Sequence, residues 1–418
     1  MENVRKDTKP SGGSGNLPPQ QWKPNQPKKK PQRQVKPEPV KSVVVPPPKE
    51  RWAKFDVPLF VITLTLVVFG AGMLLSASFA FGMREFDNYY HFFTNQSRFI
   101  LIGLGIMIFL SFVNYRILMN KKLVIIATVG TVVLMLGVML MGVAQGGATR
   151  WINIGFVFQP SEILKFVLIV VLAYITHHHP ETLQRFRKGF VPFALIIMIA
   201  CGLVFAQRHL SGTIIMFGIG LTMMVVSPIR LPYIVVAITA LAVMVAIGVL
   251  VMKASGYTYF QDRIDSWRAP ESDVQGATFQ TYQSLVTIGS GGWFGLGLGN
   301  SHQKFSFLPA MHNDFIFSVI VEELGFVGGV FVMILFVVFI LRGFYIAVNA
   351  RDRFGMMLAV GITAQIGIQA FLNIAVATNS VPNTGISLPF FSYGGTSIVM
   401  LLAQIGILLN ISRKAKIG

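Results

Sequence analysis

The chain has 418 residues, 53% of them hydrophobic and 12% charged, with a net charge of +18. A soluble domain carries about a quarter charged residues, so the composition excludes a water-soluble enzyme and points to a protein built in a bilayer. The charge does not mark a nucleic-acid binder. Residues 1–54 hold 13 of the 35 Lys and Arg against four acids, and most of the others flank apolar runs, as in a chain oriented in a membrane and held near anionic lipid.

Residues 1–54 are rich in Pro, Lys, Gln and Gly and cannot bury a core. They are expected to form a disordered, basic, cytoplasmic tail that grazes lipid or docks a partner. No secretory signal is expected, because the first apolar run starts near residue 57 and is long enough to be a true span. Ten apolar stretches follow, at 57–81, 98–113, 123–143, 161–176, 190–206, 210–226, 231–252, 314–341, 354–378 and 395–411. Five of them are short for a span of about 20 residues. The expected architecture is an all-α polytopic membrane protein of about ten transmembrane helices, with one membrane domain over 55–412 and a short tail over 413–418. Alternate connections carry basic clusters such as Lys121 and Lys122, Arg185 to Lys188, and Arg351 and Arg353, which places both termini in the cytoplasm.

That topology leaves 144–160, 253–313 and 379–394 outside, the largest lying between spans seven and eight. No internal repeat supports a repeat-built transporter. The single cysteine, Cys201, rules out an intramolecular disulfide and a thiolate metal cluster.

Four segments could carry chemistry. In 147–166, Pro160 suits a first helical turn, and Glu162 and Lys165 fall on one face of the fourth span, as an internal ion pair or as part of a cavity. In 253–313 the glycines lack the Gly-Lys-Ser/Thr of a nucleotide loop; they suit close backbone packing or a loop that dips toward the headgroups. In 312–326, Asp314 opens the eighth span, with Ser318, Glu322, Glu323 and Gly325 following. Spacing leaves Asp314 open as a helix N-cap or as a catalytic acid. In 383–397, Pro389, Gly394 and Gly395 break any helix, and Ser392 and Tyr393 offer hydroxyls.

Taken in order, GATRWINIG…QPSEILK, YQSLVTIGSGGWFGLGLGNSHQKF, LPAMHNDFIFSVIVEELG and TGISLPFFSYGGTS resemble the SEDS family of FtsW, RodA and SpoVE proteins over roughly 57–412. The resemblance implies a peptidoglycan glycosyltransferase in the bacterial plasma membrane, acting on lipid II at the extracytoplasmic face. It implies a class B penicillin-binding protein as partner, beside other division or elongation membrane proteins, and no nucleic acid. The extended N-terminus leans toward the division branch. The family's essential acid maps onto Asp314, its QPSE…K motif onto Gln159, Pro160, Ser161, Glu162 and Lys165, and its upstream pair onto Arg150 and Trp151. The turn at 207–213 departs from the pattern, reading QRHLSGT where an acid is usual; Asn313 stands where Thr is common.

On this resemblance the acceptor sugar's 4-hydroxyl attacks the donor's anomeric carbon, with inversion, and undecaprenyl diphosphate leaves. Asp314 is the expected base. Arg150, Lys304 and Arg263 are the expected cations for the diphosphate, with His312, Gln283, Ser392 and Tyr393 as further substrate contacts. A divalent cation, Mg or Mn, could assist at the diphosphate. Trp151, Pro160, Ser161, Glu162, Lys165, Glu322 and Glu323 are expected to hold the cavity. A lipid II flippase and a scaffold that only recruits a penicillin-binding protein are the alternatives.

Overall fold

The computed structural model describes residues 55–141, 143–145, 148–153, 157–207, 209–239, 259–276, 278–301 and 313–415. The expected tail over 1–54 lies outside them. The membrane unit is helical. Its elements are α1 (Val57–Phe86), α2 (His91–Phe112), α3 (Lys121–Met141), α4 (Pro160–His178), α5 (Val191–Ala206) and α6 (Leu210–Val226). Residues 231–239 form α7. Then come α8 (Tyr259–Arg268), α9 (Phe279–Ser290), α10 (Ile316–Val348), α11 (Arg353–Ala377) and α12 (Gly395–Lys414).

Among the described residues, eight helices are long and apolar enough to cross a membrane, and α6 is a shorter apolar helix. The expected seventh span, 231–252, is helical over 231–239 and its remainder lies outside the described residues. Large apolar side chains such as Leu140, Leu101, Ile126 and Val68 stand outward and exposed, as a lipid-facing surface requires. The all-α expectation needs one addition. β1 (Val143–Gln145), β2 (Ala148–Asn153) and β3 (Val157–Phe158) form a small antiparallel sheet in the order β1-β2-β3 between α3 and α4.

Of the five spans expected to be short, α2, α4 and α12 are lengthened by polar residues, whereas α6 keeps its expected bounds. α2 starts at His91 rather than near 98 because its polar first turns join the helix. Gln96 there is buried and uses both ends of its amide, accepting from Gly394 N at 3.1 Å and donating to Ser392 O at 3.4 Å.

Polar clamps gather at the basic end of the bundle. Asp56 caps α1 by accepting from Leu59 N at 2.9 Å, pairs with Arg342 of α10 at 2.8 Å, and donates its own N–H to Ser412 of α12 at 3.1 Å. Asp352 caps α11 through Gly355 N at 2.8 Å and also accepts from the Tyr115 hydroxyl at 2.8 Å and from Arg116 at 3.0 Å. Burial alone would raise the Asp352 carboxyl, but the Gly355, Tyr115 and Arg116 hydrogen bonds and the Arg116 charge together hold it below the usual carboxylate range. Burial, reinforced by Asp352, pushes the Tyr115 phenol up.

At the opposite end α10 is broken. Gly325 has φ 74° and ψ −174°, a conformation open to glycine only. The break lies roughly 14 Å along the helix from its start. The segment 292–297 repairs it: Leu296 N donates to Glu322 O at 2.9 Å, Gly297 N to Glu323 O at 3.0 Å, Phe326 N to Gly292 O at 2.9 Å and Val327 N to Trp293 O at 3.2 Å. An unsatisfied backbone group in hydrocarbon costs several kcal/mol, so loop and helix stand or fall together. Gly295 permits the approach, since a side chain there would strike the Glu323 carbonyl. Trp293, Phe294 and Leu298 of this segment are exposed. The glycine segment is therefore a backbone splint for α10.

Two outcomes follow. Gly325→Ala is expected to destabilise the detergent-solubilised protein by about 2 kcal/mol or more, read as a lower thermal midpoint; an unchanged midpoint would refute the splint. Asp352 contributes stability above the ordinary carboxylate range that is lost as pH falls through its depressed value, and Tyr115 contributes stability below the ordinary phenol range that is lost as pH rises through its raised value. Tyr115→Phe should remove about 1.5 kcal/mol, shrink the acid-side loss and complete it at a higher pH, and abolish the alkaline component; melting curves from pH 3 to 11 check this.

Candidate active site

Asp314 lies two residues before α10. The cap position of that helix falls on Phe315, whose side chain makes no capping hydrogen bond, so Asp314 does not occupy the N-cap position that spacing left open for it. The half-buried carboxylate lies against the segment 379–394: a methyl group added at Gly385 would stand 3.1 Å from Asp314 Oδ2.

Several helices hold that segment in place. From α11, Asn373 Nδ2 donates to Asp314 O at 2.8 Å and to Ile386 O at 2.6 Å. One turn away, Gln369 Nε2 donates to Ser387 O at 3.1 Å. From α6, Ser211 donates to the carbonyls of Thr384 and Gly385. From α8, Arg263 donates to Asn383 O, while Trp267 and Asn379 exchange hydrogen bonds at 3.0 and 3.1 Å. Ser392 accepts from Leu388 N at 2.7 Å and donates to Asn313 O, which ties the segment to the residue before Asp314. On α9, Ser284 meets Ser318 of α10 at 2.7 Å and the Ala377 carbonyl of α11 at 2.7 Å.

The QPSE…K motif forms the adjoining layer. Pro160 opens α4, and Glu162 and Lys165 pair at 2.8 Å with side chains only 7% and 5% exposed. The pair is not isolated: Lys165 Nζ reaches Gln369 Oε1 at 3.3 Å, and Ser397 of α12 reaches Glu162 at 3.4 Å. A connected polar path thus runs from α4 through Gln369 to the segment beside Asp314. Ser161 is buried, and its hydroxyl has no partner among the described residues.

The other expected residues are placed as follows. Trp151 lies half-buried in β2, opposite Val143 of β1. Arg150 belongs to the same strand, but its side chain lies outside the description, as do Lys304 and His312 altogether. Arg263 reaches the segment beside Asp314, with its guanidinium on Asn383. Gln283 is half-buried on α9. The Ser392 hydroxyl is engaged with backbone. Tyr393 turns to α2, its ring 5.0 Å from Phe92 and its hydroxyl on Asn95, and burial raises its phenol. Glu322 and Glu323 are fully buried beyond the first turn of α10; Ser301 donates to Glu322 and Ser76 to Glu323, beside the glycine splint. They belong to the break in α10.

Sequence reading missed Gln369, Asn373, Gln96, Ser211 and Gly385. The first two carried a signal: Gln365, Gln369 and Asn373 recur at four-residue spacing inside an apolar span. Among the described residues, no group of three His, Cys, Asp or Glu side chains could hold a metal ion.

Comparison with known proteins gives the family. The FtsW/RodA/SpoVE family, described as cell cycle proteins, matches residues 57–417. Stage V sporulation protein E of Bacillus subtilis is 38% identical over 86% of this chain and 98% of its own. A probable peptidoglycan glycosyltransferase FtsW of a Geobacter species is 35% identical over 87% of this chain and 98% of its own. A chain from a solved peptidoglycan synthase complex superposes with a TM-score of 0.73 at 25% identity, covering 88% of this chain and 100% of its own. The rod shape determining protein RodA of Thermus thermophilus superposes at 0.64 and 25% identity, covering 88% of this chain and 99% of its own. With the family matched across its whole membrane part, this chain belongs to the FtsW/RodA/SpoVE family.

Proposed function

We propose that the chain polymerises lipid II into glycan strands, with Asp314 as the base. The coarser statement, a peptidoglycan glycosyltransferase of the cell wall, rests on relatives of that name about 35% identical along nearly their full length. The observation that carries the finer reading is the placement of Asp314. Its carboxylate meets a segment pinned by four helices, at the end of the bundle opposite the basic cluster. Positive charge marks the cytoplasmic side, so the Asp314 end faces out, where lipid-linked sugars are used.

In the proposed step the acceptor's GlcNAc 4-hydroxyl attacks the donor's anomeric carbon. Its proton passes to the Asp314 carboxylate, the bond from the anomeric carbon to the diphosphate oxygen breaks with inversion, and undecaprenyl diphosphate departs with the electron pair. Arg263 stands near enough to the pinned segment to face the departing charge, and Arg150 and Lys304 are the further candidates. A divalent ion at the diphosphate would find no group of three His, Cys, Asp or Glu side chains among the described residues. An apolar groove of about 960 Å³ along α1, lined by Val61, Val68, Phe69 and Phe79 and reaching Leu298, suits a polyprenyl chain. The neighbour solved within a complex that coordinates polymerization and crosslinking supports a crosslinking partner, which we take to be a class B penicillin-binding protein.

One observation favours the transport reading. Gln365 and Gln404 are buried within α11 and α12, without partners among the described residues, so polar groups continue below the Glu162–Lys165 layer. The two readings separate on purified protein with its partner and lipid II. Asp314→Asn should reduce polymerisation by about 100-fold or more while the protein stays folded. Equal polymerisation would make Asp314 a bystander, and lipid II crossing proteoliposomes with no polymer would favour transport.

A further inference from the structure

We infer that Asn373 and Gly385 are positioning residues for the Asp314 carboxylate, an inference that rests on the reading of Asp314 as base. Asn373 sits on α11, fully buried, and its Nδ2 has two N–H groups and two acceptors, Asp314 O and Ile386 O. That pairing fixes the orientation of the amide, because an oxygen turned toward two carbonyls would be repelled. One side chain therefore joins the peptide of Asp314 to the strand passing in front of its carboxylate. Rotation of the turn at 313–315, or lifting of the strand at 385–387, would break one of the two bonds.

Gly385 supplies the other half. Its φ is +68°, in the left-handed region that glycine adopts freely. Its own N–H donates to Asn383 Oδ1 at 3.1 Å, and its carbonyl accepts from Ser211 at 3.1 Å, so the residue is fixed on both sides. Any side chain there would crowd Asp314 Oδ2, the oxygen that a Cβ would approach to 3.1 Å. The missing Cβ is thus a clearance beside the base, and Asn373 keeps that clearance in register with it. Neither residue touches the reacting atoms.

The test uses the full chain with its penicillin-binding partner and lipid II. Wild type is compared with Asn373→Ala, Asn373→Asp, Asn373→Ser, Gly385→Ala and Asp314→Asn for kcat and KM per folded molecule. Displacement of a reacting group by about 1 Å costs on the order of a hundredfold. Asn373→Ala and Gly385→Ala should therefore lose about tenfold to a hundredfold in kcat, with KM unchanged within about twofold. Asn373→Ser, which keeps one donor, should recover part of the loss, and Asn373→Asp, which sets an acceptor against two carbonyls, should not. Wild-type kcat in folded Asn373→Ala and Gly385→Ala, with Asp314→Asn inactive, would overturn the positioning role and leave the base in place. Wild-type kcat in Asp314→Asn would overturn the base and the positioning role with it.

Discussion

Two buried amides of α11, Gln369 and Asn373, hold the segment that lies beside Asp314. The segment 379–394 has no regular structure, so its backbone groups need partners from elsewhere. Gln369 and Asn373 donate to Ser387 and Ile386, and the same Asn373 nitrogen reaches back to Asp314. A donor inside a bundle is worth more for what its loss would expose than for the bond alone. Removal of either amide would strand carbonyls in a low-dielectric interior. Lys165 extends the arrangement to α4, so the pinned segment, the ion pair and the start of α10 form one connected polar unit.

A second constraint acts on α10. A continuous helix through residue 325 would leave Gly292 O, Trp293 O, Leu296 N and Gly297 N without their partners, and a break without that segment would expose four backbone groups. The glycines of 291–299 resolve both demands, because bare backbone can approach bare backbone. The upper segment of α10 is therefore set by the splint on one side and by Asn373 and Ser392 on the other. Asp314 stands at the second support, with Asn373 on its own carbonyl and Ser392 on that of Asn313, which is why a residue outside any regular helix can hold a defined place.

Much of this was legible in the sequence, and the limits have physical causes. Eight of the apolar runs became helices long enough to span, and the segment 379–394, singled out for its helix breakers, lies beside Asp314. Asp314, Glu162 and Lys165 stood out because charges in apolar surroundings are expensive. The start of α2 was placed late because its polar turns look like loop, although Gln96 is buried against Ser392 and Gly394. Asn373 and Gln369 were passed over because a single amide does not disturb an apolar run, and their partners lie in a segment far along the chain. The small sheet at 143–158 was read as loop, since strands of two to six residues carry little periodicity. The glycines of 253–313 suit close packing or a loop dipping toward the headgroups; Gly291 and Gly295 take the first course, against the α10 backbone near the break at Gly325, which is visible only in three dimensions.

The most direct measurement is a structure of the Asp314→Asn variant, with its partner, bound to lipid II. An acceptor sugar hydroxyl within about 3 Å of the residue 314 side chain, with the segment 383–387 closing over it, is the expected result. A sugar bound at the basic end of the bundle, or with every hydroxyl out of reach of residue 314, would contradict the assignment of the site.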